Sequence, residues 1–280
     1  MNRRVVVTGR GVLGPLGHDW PAVSAWLRSG RNAVVRHDAW GEYRGLNTRL
    51  AVPAAPFELP EHYNRKSTRS MGRVSILATR ASELALADAG LLGDPLVKSG
   101  DLGISYGSSA GTPSAMSDFG RMLAEKNTQY INATTYIKMM AHTAPVNMGV
   151  FLGVTGRVIT TSSACTSGSQ GIGYAVEAIR AGKQAAMLAG GAEELDVTGA
   201  VCAIILMYVV ALMYCVFFSA SIRPKSLIAD GVPAEDPYEM PRSPLFTSGS
   251  PSRPASASAS SLARVARIDS RPIERVDLRL

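Results

Sequence analysis

Cysteine is scarce in this chain. The three present, Cys165, Cys202 and Cys215, form no Cys-x-x-Cys pair, so neither a disulfide framework nor a structural zinc site is expected. A reducing, cytoplasmic setting follows as the default expectation. No secretory leader is expected either: after Met1-Asn2-Arg3-Arg4 only Val5, Val6 and Val7 precede Thr8 and Gly9, an apolar stretch too short for a signal-peptide core. There is no internal repeat and no concentrated block of one charge. The net charge of +7 is spread along the chain, which favours acidic partners mildly and does not argue for nucleic acid.

What is present divides into three stretches. Apolar residues make up 46% and charged residues 18% of 280 positions, which suits a folded α/β protein. Residues 1–200 alternate between strand-like and helix-like patterns. Strands are expected at 4–8, 102–106, 158–161 and 185–189, the last stopped by Gly190-Gly191. Helices are expected at 20–28, where Pro21 fits a first turn, at 73–89, and at 171–181, closed by Gly182. This βαβα rhythm implies a sheet with covered faces. Residues 201–220 carry no charged side chain and match the length of a membrane span. Residues 221–280 are rich in serine, proline and arginine, and read as a low-complexity, disordered tail.

Gly9-Arg10-Gly11-Val12-Leu13-Gly14 fits the GxGxxG pattern after a strand, and Asp38 sits roughly where a ribose-binding acid, about 20 positions on, would be. On this pattern a nicotinamide-dependent oxidoreductase is one expectation. Against it, Pro15 and Gly17 delay the next helix to about Asp19, so no helix start aims the loop amides at a pyrophosphate. A plain tight turn is the other reading.

The stretch Val158-Ile159-Thr160-Thr161-Ser162-Ser163-Ala164-Cys165-Thr166-Ser167-Gly168 carries more chemistry. A strand enters a turn of small residues and a helix follows, with Cys165 at the junction. Small neighbours let the thiol stand clear. A helix start favours the thiolate through its dipole and unpaired amides, and the N–H of Cys165 is placed to donate to an oxyanion. A buried cysteine acting as a small apolar residue is the competing reading.

Residues 161–168 resemble the nucleophile signature of β-ketoacyl-[acyl-carrier-protein] synthases, members of the thiolase-like fold. The likeness extends to Val7-Thr8-Gly9-Arg10-Gly11 and Pro15-Leu16-Gly17, to Tyr106-Gly107-Ser108-Ser109-Ala110-Gly111, to Asn147-Met148 with residues 153–156, and to Leu188-Ala189-Gly190-Gly191-Ala192-Glu193. It covers about residues 2–199 in consistent order, and it reassigns the glycine loop, which that family carries without a nucleotide. The resemblance implies the N-terminal half of an α/β, thiolase-like fold, with a mixed five-stranded sheet and helices on its faces. It implies a 3-oxoacyl-[acyl-carrier-protein] synthase activity, an acyltransferase chemistry of fatty-acid or polyketide-type biosynthesis. Cys165 takes an acyl chain from acyl carrier protein, and decarboxylated malonyl carrier protein then attacks it. No cofactor and no metal are implied. Ala110, with Ser109, falls at the acyl pocket, and a small side chain there leaves room for a longer or bulkier chain. Arg65, Lys66, Arg69 and Arg73 fall where such enzymes meet the acidic carrier protein; a solvated basic helix start is the alternative. The partners implied are acyl- and malonyl-loaded carrier protein, and a second copy or a full synthase in a dimer. A non-catalytic subunit of a full synthase is the alternative function, although such subunits usually lack the cysteine.

The second half of the family is not matched. It supplies two histidines, a lysine and a glycine-rich turn that gives the second oxyanion donor. None of His18, His37, His62 and His142 sits in a His-Gly-Thr-Gly-Thr or Asn-x-x-Phe-Gly-Phe-Gly-Gly context, and His142 reads as a satisfied structural histidine. Condensation by this chain is therefore expected to be deficient. A lone half is also expected to leave the Cys165 helix or one sheet face uncovered. Losing about 1,000 Å² of burial costs roughly 25 kcal/mol, against a typical net stability of about 5–15 kcal/mol. Three readings of the sequence beyond residue 200 follow. It is the product of a slipped reading frame, whose composition GC-rich DNA yields; it is a membrane anchor at 201–220, with Arg223 and Lys225 holding its far side in the cytoplasm; or it is a buried helix or strand standing in for missing core.

Overall fold

The structure, a computed structural model, describes residues 4–46, 48–202 and 214–219. Seven strands and seven α-helices follow in the described chain: β1 (Val5–Gly11), α1 (Trp20–Arg28), β2 (Val35–Arg36), β3 (Leu50–Ala51), α2 (Arg73–Asp88), β4 (Leu102–Gly107), α3 (Pro113–Glu125), α4 (Ala133–Met139), α5 (Thr143–Leu152), β5 (Val158–Thr161), α6 (Ser167–Arg180), β6 (Ala186–Gly191), α7 (Val197–Cys202) and β7 (Tyr214–Ser219). Five strands make one sheet in the order β1-β7-β6-β4-β5, while β2 and β3 pair separately. The large sheet is mixed. β4 runs parallel to β5 and to β6, and β7 lies antiparallel between β6 and β1. This is the α/β arrangement the resemblance implied.

Two cores flank the sheet. On one face, α2 and α5 bury Val74, Leu77, Ala78, Ala81, Ala85, Ala144 and Met148 against Leu102, Ile104, Tyr106 and Leu188. The α2 stripe repeats at helical spacing, as a helix with one covered face requires. Each fully buried aliphatic side chain here contributes about 1.5–3 kcal/mol. On the other face α6 sets Ala175, Val176, Ala178 and Ile179 on Met187 and Ala189. The outer side of α6 faces solvent with Ser169, Gln170, Tyr174, Glu177 and Arg180. Val7 and Val158 on the two edge strands of the sheet are 45% and 41% exposed.

Local chemistry accounts for the helix starts. Asp19 caps α1 by accepting from Ala22 N–H at 2.8 Å, with Pro21 in the first turn. Asn132 caps α4 through the N–H groups of Thr134 and Thr135. Glu83 on α2 accepts from His62 Nε2 at 2.6 Å, from Tyr63 Oη at 3.2 Å and from Arg80. Burial, and then the Glu83 charge, push the Tyr63 phenol well above its ordinary value.

Several expectations are corrected. β1 runs through Gly9 and Gly11 rather than ending before them. A Cβ at Gly9 would lie 2.3 Å from Ala85 O, and one at Gly11 would lie 2.0 Å from Ala81 O. These glycines let β1 lie against the α2 backbone, so the nucleotide-cradle reading loses its loop. α6 begins at Ser167, not Gly171, and β6 continues through Gly190-Gly191 instead of stopping there. α3, α4 and α5 fill a stretch for which no element was expected. His142 is exposed at the start of α5 without a side-chain cap bond, so it is not the satisfied structural histidine expected. Within 201–220, residues Tyr214–Ser219 form a strand inside the sheet; residues 203–213 lie outside the described residues, as does the tail at 220–280. Among the described residues no helix is long and apolar enough to cross a membrane.

Candidate active site

The three parallel strands end in register. Gly107 of β4 is level with Thr161 of β5 and with Gly191 of β6. The loops that follow, 108–111, 162–166 and 192–194, therefore leave the sheet side by side. Ligand sites of parallel α/β sheets lie at the carboxyl ends of strands for this reason. Backbone bonds lock the ends together: Ser108 N–H donates to Thr161 O at 3.3 Å, and Ala192 N–H donates to Gly107 O at 3.1 Å.

Cys165 stands in the loop that follows β5, with an exposed side chain. Ala164 just before it has φ +53°, the left-handed region that L side chains rarely occupy and that occurs where a turn is over-determined. The surroundings supply that determination. Ser167 Oγ accepts from Ser163 N–H at 2.9 Å and donates to Ala164 O at 2.6 Å. Thr161 Oγ1 donates to Ser167 O at 2.8 Å. Thr166 N–H donates to Ser163 O at 3.3 Å, and Ser167 N–H to Ala164 O at 3.0 Å. These bonds use the N–H groups of Ser163, Thr166 and Ser167 and do not engage that of Cys165. The thiol thus sits two residues ahead of α6, at the positive end of the helix dipole.

The helix reaches the sheet by direct backbone contact. A Cβ at Gly107 would lie 2.4 Å from Ser167 C and O, one at Gly171 would lie 2.9 Å from Gly190 O, and one at Gly191 would lie 2.9 Å from Gly168 Cα. Glycine at these points brings the α6 start, and Cys165 with it, onto the ends of β4 and β6.

Glu193, which the residue-by-residue reading did not single out as a site residue, holds the loop after β4. Its Oε2 accepts from Ser109 N–H at 2.7 Å and from Ser109 Oγ. Its Oε1 accepts from Ser108 Oγ at 3.2 Å and Ala110 N–H at 3.3 Å. Ser109 and Ala110 are half-buried, and the Ser109 hydroxyl is engaged by this carboxylate. The signal available in the sequence was an acidic pair directly after a buried strand. The second acid, Glu194, has a buried Oε2 without a hydrogen-bond partner. Burial raises its pKa above the ordinary value, opposed by the Arg73 charge and reinforced by Asp196.

A pH effect follows with a definite sign. A carboxyl raised on folding adds stability that is complete below its unfolded-state value and is lost as pH rises through the folded value. Glu194→Gln removes that loss. The melting temperature of the variant relative to the parent is therefore expected to rise as pH rises through and above the ordinary carboxylate range; a difference independent of pH would refute the assignment.

Arg65, Lys66, Arg69 and Arg73 are all exposed, and none is in an ion pair among the described residues. Arg73, at the α2 start, also lines a cleft of about 400 Å³ with Ala55, Phe57, Leu59 and Ile76. That cleft does not include Cys165, Ser109 or Ala110. Three of the four histidines are engaged elsewhere, while His142 follows Ala141, whose N would lie 3.0 Å from a Cβ at Gly111. His18 Nε2 bonds Pro56 O at 3.0 Å, His37 stacks on Trp40, and His62 binds Glu83. No group of acidic, histidine or cysteine side chains among the described residues could hold a metal ion.

Comparison with known proteins agrees with this geometry. Residues 2–205 match the family described as beta-ketoacyl synthase, N-terminal domain. Nodulation protein E of Rhizobium meliloti (strain 1021) is 35% identical over 202 residues, covering 69% of this chain and 47% of the relative. The 3-oxoacyl-[acyl-carrier-protein] synthase 1 of Escherichia coli (strain K12) is 30% identical over 205 residues, with the same coverage. A beta-ketoacyl synthase crystal structure from Burkholderia phymatum STM815 superposes with a TM-score of 0.72 at 41% identity, over 78% of this chain and 60% of that one. The chain spans about half the length of the curated relatives it matches.

Proposed function

Since the chain belongs to the β-ketoacyl synthase family through that family's N-terminal domain, we propose that it accepts an acyl group on Cys165 and, by itself, stops at that acyl-enzyme. The supporting observation is the exposed Cys165 side chain on a strained elbow where three strand ends meet. The Cys165 thiolate attacks the carbonyl carbon of a carrier-bound thioester and a carbon–sulfur bond forms. The carbonyl oxygen becomes an oxyanion, to which the N–H of Cys165 donates. Collapse breaks the bond to the carrier's thiol, which leaves with the proton Cys165 gave up. Ala110 and Ser109 border the acyl chain. Arg65, Lys66, Arg69 and Arg73 offer the acidic carrier protein an exposed basic surface, so uptake from it weakens as salt screens the charges.

Condensation asks for more. Decarboxylation of a malonyl group leaves an enolate that needs cationic or hydrogen-bonding stabilisation, and none of the four histidines sits in the sequence contexts of the family's second half. Elongation is assigned to the full-length arrangement of the family, with a partner or second half completing the site. The test uses the whole chain. Incubated with acyl carrier protein, it is expected to gain the acyl mass on Cys165. On addition of malonyl carrier protein, no product longer by two carbons is expected. Elongation would overturn the second clause, and absence of the adduct would overturn the first.

A further inference from the structure

We propose that Glu193 is a positioning residue that fixes the loop 108–111, and through it decides which acyl chains reach Cys165. This rests on the acyl-accepting reading above. One carboxylate meets four donors: the successive N–H groups of Ser109 and Ala110, and the hydroxyls of Ser108 and Ser109. Successive amides of this kind make an anion-binding concavity, and bonds to an ionised acceptor are about twice as strong as neutral ones. Here the anion is the chain's own, brought from the end of β6 to the end of β4 across 84 residues of sequence.

The loop is pinned on its other side as well. Gly111 has φ +70°, and a Cβ there would stand 2.4 Å from Met139 O; its N–H donates to Ser108 Oγ at 3.1 Å. Ala110 lies between the two pins, so its position is set by Glu193 on one side and by the end of α4 on the other.

The donor set makes glutamine a sharp probe. Gln is isosteric but presents one oxygen and one NH₂. Ser109 N–H and Ala110 N–H are held by different carboxylate oxygens, so in either amide orientation one of them faces a donor. A hydroxyl turns round and accepts; a backbone amide does not. Glu193→Gln therefore releases one end of the Ala110 peptide while leaving the Cys165 elbow bonds intact.

The experiment compares the full chain with Glu193→Gln and Glu193→Asp, using butanoyl-, decanoyl- and hexadecanoyl-pantetheine, with the Cys165 adduct followed by intact mass. Alkylation of Cys165 by iodoacetamide and the melting temperature are read in parallel. In Glu193→Gln the alkylation rate is expected to stay within about twofold of the parent. The ratio of long-chain to short-chain acylation is expected to change about tenfold, the effect of one charge-assisted bond. Glu193→Asp keeps charge and both acceptors but withdraws them by one methylene, so it shifts the ratio in the same direction by less, and it serves even if the glutamine variant does not fold. An unchanged ratio, or acylation, alkylation and melting temperature falling together, would overturn the proposal while the parent's adduct still stands. No adduct on the parent chain would instead remove the acyl-accepting reading, and this proposal with it.

Discussion

Cys165→Ala leaves the chain unable to retain an acyl group. The loss is complete rather than graded, because no bond to the acyl carbon forms without the sulfur. The flanking hydroxyls do not substitute. Ser163 Oγ accepts from Thr166 Oγ1 at 3.0 Å, and an alcohol without an adjacent base is a poor nucleophile at neutral pH. The fold is expected to survive, since the side chain is exposed and exposed substitutions usually stay within about 0.5 kcal/mol. Measurement of the intact mass after incubation with acyl carrier protein, followed by peptide mapping, separates Cys165 from Cys202 and Cys215. An adduct that persists in the alanine variant, or that maps to another cysteine, would remove Cys165 from the chemistry.

Gly107→Ala is expected to cost about 3 kcal/mol, at the upper end of what overpacking does, and to suppress acyl uptake together with stability. The added Cβ would meet Ser167 C and O at 2.4 Å and Thr161 Oγ1 at 2.6 Å. Two of those atoms are backbone, so relief requires the start of α6 to move, and the elbow carrying Cys165 moves with it. For a chain of this size about 3 kcal/mol corresponds to a fall of roughly 6–12 °C in melting temperature. Gly173 on the same helix is the internal control. Nothing lies within 4 Å of a Cβ there, and Gly→Ala in a helix interior gains up to about 1 kcal/mol. Thermal melts of the two variants should therefore move in opposite directions. A Gly107 variant as stable as its parent would show that the helix start is not seated on β4 as described.

The contrast between these glycines shows where residue patterns stop being informative. Gly9 and Gly11 read as a phosphate loop because GxGxxG after a strand is a local pattern. Their partners, the carbonyls of Ala85 and Ala81, lie 70 or more residues away, and no local pattern carries that contact. The pattern starts α6 only at Gly171, and glycine disfavours helix interiors. The structure begins the helix at Ser167 because close approach to Gly107, Gly190 and Gly191 outweighs the propensity cost. Gly190-Gly191 likewise read as a stop, yet those residues continue β6, where absence of side chains admits the helix. The amphipathic stripe of α2, the capped α1 and the short apolar strands β4 and β5 were legible, because periodicity, caps and β-branched runs are properties of neighbouring residues.

By itself the sequence marked the strand, the turn of small residues and the helix around Cys165, and with them the family, since these are encoded within about a dozen neighbouring positions. Tertiary structure alone decided that β4, β5 and β6 end level with one another, that Tyr214–Ser219 enters the sheet between β1 and β6, and that Glu193 closes on the loop at Ser109 and Ala110. Each of these joins residues tens of positions apart. Such contacts depend on how strands pair and how closely helices seat on them, and those distances are set by packing of the whole sheet rather than by any stretch of residues read in order.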